Sequence, residues 1–504
     1  MNYSPLKICF SICITLLILL GITYLSSSNT LPNGKSQDGF AVLGTTIKYP
    51  TSESFWNTES TSKEKIKAVD SIVNNIEVLV EPEEDIEKLV IEEAPIVEEK
   101  KAFVPKIPNL SKIDTSKIER ITYPKNKDEF ISQLKAHLTA SKSRIIHYGD
   151  SQIEGDRMSS YIRNKLQNLY GGNGPGFTPI AQVYENISAV VTTSEHWTRH
   201  AAFDPSKKRF AHKKYGAYTT LSRFTPYYDI VADSINSDTL QLVKASFTVK
   251  PSTKTYGRMR NYTTIGFHYG NAQLPVNLKV FNSGSLIKET ELNTDGNYHE
   301  IEINLPNTPA ILTFELESKM SPDIYGITLD GNEGISLDNV AMRGSAGTIF
   351  AGLNSENFAQ MYKTLDPKVL IFQYGGNSVP YVKDSLEVEQ YTRYLKNHIN
   401  WVRRKTNNAS VIFIGPTDMT TTENGQMKTY PLLPYLNHTL REMCNDNNIA
   451  YWSTFNAMGG ENSMQHWVDQ KLAGSDYTHF SLTGTRIISE LFFLSLYMDL
   501  IHDE

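Results

Sequence analysis

Apolar positions along the chain change their pattern four times, the last a return after 335 to the helical spacing and buried runs of 123–176. From Ile8 to Leu25 they run almost without interruption, then lose any steady period from about Leu31 to Ile121. From Tyr123 they recur at helical spacing and in short buried runs, and between about Phe177 and Ile335 they alternate. The first run, ICFSICITLLILLGITYL, is just long enough to cross a bilayer at a rise of about 1.5 Å per residue. Lys7 precedes it and no A-x-A pattern follows Leu25. That predicts an uncleaved membrane anchor in residues 1–30 rather than a signal peptide, with the body in the periplasm or at the cell surface. Cleavage within Ser26-Ser27-Ser28 would secrete the body instead. Residues 31–121, with EVLVEPEEDIEKLVIEEAPIVEEKK in the middle, read as a solvated acidic stalk of low order.

The segment KDEFISQLKAHL places Phe130, Leu134 and Leu138 on one helical face, and RIIHYG reads as a buried strand. Met158, Ile162, Leu166 and Leu169 then repeat as a helix that Gly171-Gly172 end. Further on, VLIFQYGG (369–376) and SVIFIGP (410–416) are apolar enough for parallel strands buried on both faces. A helix with Tyr391, Tyr394, Leu395, Ile399 and Val402 separates them, and YPLLPYLNHTLREMCNDNN and GTRIISELFFLSLYMDLI supply two more. Between 177 and 335 stand LQLVKASFTV, TTIGFHYG, PVNLKVFNSG, LIKETEL, YHEIEINL, ILTFELES and IYGITLDG, short alternating segments separated by turn residues. The predicted fold is α/β: a doubly wound parallel sheet in two parts (122–176 and 336–504), interrupted by an antiparallel β-sandwich at 177–335.

Composition narrows the chemistry. The 504 residues carry a net charge of -6, so there is no basic footprint for nucleic acid. Cys9, Cys13 and Cys444 exclude a disulfide framework and a cysteine metal site. His196, His200 and His212 lack ligand spacing, and the glycine run 171–176 lacks the Lys and Ser/Thr of a phosphate loop. Neither a metal nor a cofactor is expected.

Four polar stretches fall at the C-terminal ends of the predicted parallel strands, where open α/β sheets bind their ligands. They are Gly149-Asp150-Ser151-Gln152, Met342-Arg343-Gly344-Ser345-Ala346-Gly347-Thr348, Gly375-Gly376-Asn377 and Asp476-Tyr477-Thr478-His479. Taken singly, Ser151 and Asn377 are ordinary turn residues, and Asp476 with His479 is a loop ion pair. Taken together, a serine hydroxyl, a histidine base and an acid to orient it form a nucleophile set, and an acid three residues before a histidine can accept from Nδ1. His147 suits packing within its strand, and Asp418 suits a loop cap.

In this order the four stretches resemble the blocks of the SGNH/GDSL hydrolases. The resemblance implies Ser151 as nucleophile, His479 as general base and Asp476 as the acid that orients it. It implies the Ser151 N–H, the Gly347 N–H and the Asn377 side-chain amide as oxyanion donors, with Gly344 the alternative to Gly347. Gln152 stands where the family commonly has Leu, and the inserted β region separates Ser151 widely from the second block. A sandwich at that place resembles the layout of peptidoglycan O-acetylesterases, in which the module is similar to a carbohydrate-binding domain. The implied activity is removal of acetyl or another short acyl group from a cell-envelope or extracellular glycan. Two rivals are an O-acetyltransferase fed by a membrane acyl-donor partner and a catalytically silent glycan-binding protein.

Overall fold

Continuous apolar runs have no face to offer solvent, and in a computed structural model of the chain three of them are neighbours in one parallel sheet. The structure describes residues 5–25, 27–30, 36–42, 45–48, 103–230, 235–423 and 426–501. It divides into two units, Met1–Asp70 and Ser71–Glu504. In the larger unit the parallel strands lie in the spatial order Gly334–Ala341, Lys142–Gly149, Pro367–Gln373, Ser410–Ile414, Ala450–Trp452. Counted along the chain this is the 2-1-3-4-5 order of flavodoxin-like sheets, whose switch point lies between the first and third strands. Helices Lys127–Leu138, Arg157–Tyr170, Ser355–Leu365, Ser385–Arg403, Leu433–Asp446 and Leu482–Ile501 accompany it.

The residues between the first two parallel strands form two antiparallel sheets. One joins Ser285–Glu291, Val276–Asn282, Leu312–Ser318, Val243–Pro251 and Ala189–Thr193. The other joins His299–Asn304, Thr264–Gly270, Asp323–Asp330, Thr220–Arg223 and Thr198–Ala201, with Gly176–Thr178 also on Asp323–Asp330. Phe314 stacks between Phe247 (4.6 Å) and Phe267 (5.6 Å) in the core between them. The sandwich is not an appendage. Phe177, Tyr218, Tyr298 and Tyr325 belong to the same apolar core as Ile146, Tyr148, Phe358 and Tyr362 of the α/β part. Tyr148 Oη donates to Ala217 O across the junction (2.9 Å).

Order begins upstream of Tyr123. Ile118 and Ile121 are buried, the Ile121 N–H donates to Ser495 Oγ (3.0 Å), and Thr122 pairs with Tyr451. The last part of the segment read as stalk is thus held along the body, while its acidic middle lies outside the described residues. In the smaller unit Pro5–Leu25 is one helix of 21 residues, and Ser27–Thr30, Ser36–Val42 and Thr45–Lys48 form an antiparallel sheet that the aperiodic sequence did not signal. The helix's side chains are described only from 10 to 24. Among the described residues no helix is long and apolar enough to cross a membrane.

Candidate active site

Gly149 ends the strand Lys142–Gly149 where space is short. A Cβ there would meet the tip of the Ile153 side chain, Cδ1, at 2.9 Å, and that tip would have to shift. Asp150 then caps the turn, its Oδ1 accepting the Gln152 N–H at 2.9 Å. Burial pushes the Asp150 carboxyl up to about 6, against the pull of the Gln152 N–H, His479 and Asn377. Ser151 follows, nearly buried, at the sheet's switch point.

The opposite wall is the loop Asp476–His479. Tyr477 adopts a left-handed conformation (φ 52°) that folds the loop over Asp476. Asp476 Oδ1 accepts the N–H groups of Thr478 and His479, both at 3.0 Å. His479 Nδ1–H donates to Asp476 Oδ2 (2.7 Å), which leaves Nε2 to accept from Ser151 Oγ (2.7 Å). Partial burial acts to raise the Asp476 carboxyl, but the His479 ring and the two amides hold it below the usual carboxylate range.

Two features link the walls. Gln152 Nε2 donates to Thr478 O (2.7 Å), which ties the serine turn to the histidine loop. Arg157 donates to Ser151 O (3.2 Å) and Phe480 O (3.3 Å), spanning the same gap. A glutamine or arginine near a serine is too common to signal such contacts in one sequence.

Asn377 also reaches the site. Its Nδ2 donates to Asp150 Oδ2 (3.1 Å) and Ser345 O (3.2 Å), occupying both amide hydrogens. Gly347 does not reach it. The Gly347 N–H donates to Ser345 Oγ (3.1 Å), and a Cβ there would strike the Tyr374 ring at 2.7 Å, which places this glycine against the core. Gly344 (φ 74°) faces open space, with nothing within 4 Å of an added Cβ. The cleft between the walls holds about 70 Å³ and is lined by Ser151, His479, Asn377, Tyr374, Pro416 and Met419 among others.

The remaining candidates are structural. His147 is buried between Gln373 Oε1 (3.1 Å) and Ser159 Oγ (2.9 Å), and burial pushes it down to about 3, which keeps it neutral. Asp418 accepts from Thr429 Oγ1 (2.7 Å) and the Met464 N–H (2.8 Å). Among the described residues no cluster of His, Cys, Asp and Glu could hold a metal ion.

No known family pattern matches the chain, and no curated protein matches it. Solved structures do. A peptidoglycan O-acetylesterase superimposes with a TM-score of 0.57 at 20% identity, over 76% of this chain and 99% of its own. A family two carbohydrate esterase from Clostridium thermocellum matches at 12% identity, over 50% and 90% of the two chains (TM-score 0.22). A GDSL-like lipase from Bacteroides ovatus matches at 11%, over 60% and 96% (TM-score 0.22). The first shares this chain's fold across sheet and sandwich; the other two scores are too low to argue from.

Proposed function

We propose that the chain is an exported, membrane-anchored serine esterase that removes acetyl or similarly short acyl groups from a glycan. The observation that carries this reading is the hydrogen-bonded line from Ser151 Oγ through His479 to Asp476, opening on a cleft of about 70 Å³. A volume of a few waters suits a two-carbon acyl group. Ser151 Oγ attacks the ester carbonyl as His479 Nε2 takes its proton, and Asp476 stabilises the imidazolium. The Ser151 N–H and the Asn377 amide are assigned to the oxyanion, with Asn377 exchanging its Ser345 contact for it. His479 then protonates the departing sugar oxygen, and water repeats the cycle on the acyl-serine. Peptidoglycan, the substrate named for the structure of the same fold, is the first glycan to test. Exposed Phe10, Leu16, Leu17 and Ile18 on the N-terminal helix support an anchor.

The test is acylation by p-nitrophenyl acetate followed by mass spectrometry of the peptide containing Ser151. The expected result is a burst of p-nitrophenol and one added acetyl group on Ser151, both absent in Ser151→Ala. A burst that persists in that variant overturns the assignment. Net gain of acetyl on a glycan acceptor, in place of net loss, would make the protein a transferase.

A further inference from the structure

A second, larger cleft of about 250 Å³ lies where the sandwich meets the ends of the first two parallel strands. Its floor includes Glu154, three residues beyond Ser151, and Arg343, next to Gly344. Its walls carry Tyr184, Phe203, Gln182 and Arg199 from the sandwich. Arg343 is committed: it pairs with Glu154 (3.0 Å) and lies over the Tyr184 ring (5.1 Å). Arg199 lies over the Phe203 ring (5.8 Å) but makes no ion pair. Its Nε is buried with no hydrogen-bond partner, and so is Gln182 Nε2 on the same wall. The nearby acid Asp204 accepts the Ser206 N–H (2.9 Å) and hydroxyl (2.6 Å) on Oδ1, and no hydrogen bond joins it or Glu154 to Arg199, on which both act only through their charge. Two residues of one cleft wall thus each keep a donor without a protein partner, and an acceptor entering the cleft would meet that need.

The rim supplies the sign of that acceptor. Directly after Phe203, Asp204 and Pro205 come Lys207, Lys208 and Arg209, all exposed, with Lys207 Nζ on the Arg199 carbonyl (3.1 Å). In a chain of net charge -6 this is a local reversal toward positive. Tyr184 and Phe203 add flat apolar faces of the kind on which sugar rings stack.

We infer that this cleft binds a carboxylate-bearing unit of an acidic glycan, with Arg199 pairing the carboxylate and the Lys207–Arg209 rim drawing the chain in. The inference rests on the esterase reading above and names its substrate class: a polymer carrying carboxylates beside the acylated sugar. A ring carboxylate and a carboxyl on a lactyl ether present the same chemistry.

The experiment is calorimetric titration of the full-length protein with oligogalacturonate, with its fully methyl-esterified neutral form, and with peptidoglycan strands stripped of stem peptide to free their lactyl carboxylates. One of the two charged probes should bind about tenfold or more tighter than the neutral one, the scale of a charge-assisted hydrogen bond. Arg199→Gln should abolish that preference, and a rim variant, Lys207→Gln/Lys208→Gln/Arg209→Gln, should flatten its salt dependence. Equal binding of charged and neutral probes, or a preference that survives in both variants, overturns the inference. Ser151 acylation is measured on the same preparations: its loss defeats the esterase reading alone, and a missing charge preference with acylation intact defeats the subsite alone.

Discussion

The Asp476 side chain is 54% exposed, an unusually wet place for the group proposed to steer a catalytic imidazole. It holds its role through three donors, the His479 ring and two backbone amides, rather than through burial. Water can therefore replace part of what it does. Asp476→Asn is expected to lower kcat on p-nitrophenyl acetate by about 10²-fold, short of the roughly 10⁴-fold loss that follows when a buried acid of such a set is changed; steady-state rates at saturating ester check it. Asp150 is the reverse case, a carboxyl that burial raises to about 6. Between about pH 4 and 6 the folded chain takes up a proton there that the unfolded chain does not, so this group's contribution to stability declines as pH rises through that window. Asp150→Asn removes the dependence. Compared with the native chain, the variant should fare better at about pH 7 than at about pH 4.5, read as the difference in urea midpoints. The same offset at both pH values would show that Asp150 titrates normally.

Two loops must stay in register for Ser151 to meet His479, and the contact that couples them most directly is the 2.7 Å bond from Gln152 to Thr478 O. Replacing Gln152 with an apolar side chain of similar length is therefore an informative change. Gln152→Leu should lower kcat about tenfold, the scale of one lost hydrogen bond, with KM moving less. It should also speed amide hydrogen exchange in the segment 474–480. Unchanged exchange would mean that Arg157 alone suffices to hold the loop. How well such elements could be read in advance follows from their physics. The runs RIIHYG, VLIFQYGG and SVIFIGP announce central strands because both their faces are buried, and all seven alternating segments of the sandwich correspond to strands. The strand Gly334–Ala341 escaped because Asp338 and Asn339 interrupt its apolar pattern, and they do so for a reason visible only in three dimensions. Asp338 accepts from Arg144, Tyr218 and the Phe177 N–H inside the protein. Ala450–Trp452 escaped because three residues carry no period. At the site, Ser151, Asp476 and His479 were legible as a set because the chemistry requires all three. Gly347 was chosen because Ser345-Ala346-Gly347-Thr348 best fits the second block of the family it resembles, and a motif cannot tell that the loop spends this amide on Ser345 Oγ.

Across the larger unit, the α/β part and the sandwich are joined by charge as well as by a shared core. Arg144, on the strand that ends at the serine turn, pairs with Asp330 at the end of a sandwich strand (2.5 Å) and with Asp338 on the neighbouring parallel strand (2.8 Å). Both acids are buried, Asp338 completely. Removing the cation leaves two carboxylates facing each other without compensation, so Arg144→Met should destabilise the protein by about 3–5 kcal/mol, and adding Asp338→Asn should recover part of the loss. Because the apolar core runs through both parts, the loss should appear as one transition. Trp197 lies in the sandwich and Trp452 and Trp467 in the α/β part, so tryptophan fluorescence and far-ultraviolet dichroism should give the same urea midpoint. The damage sits near the start of the strand, far along it from Ser151, so kcat of the folded fraction should stay within about twofold. Two separated transitions in Arg144→Met would show that the sandwich is an independent module clipped on by its ions. The cleft between the two parts would then owe its shape to that one cation rather than to the common core.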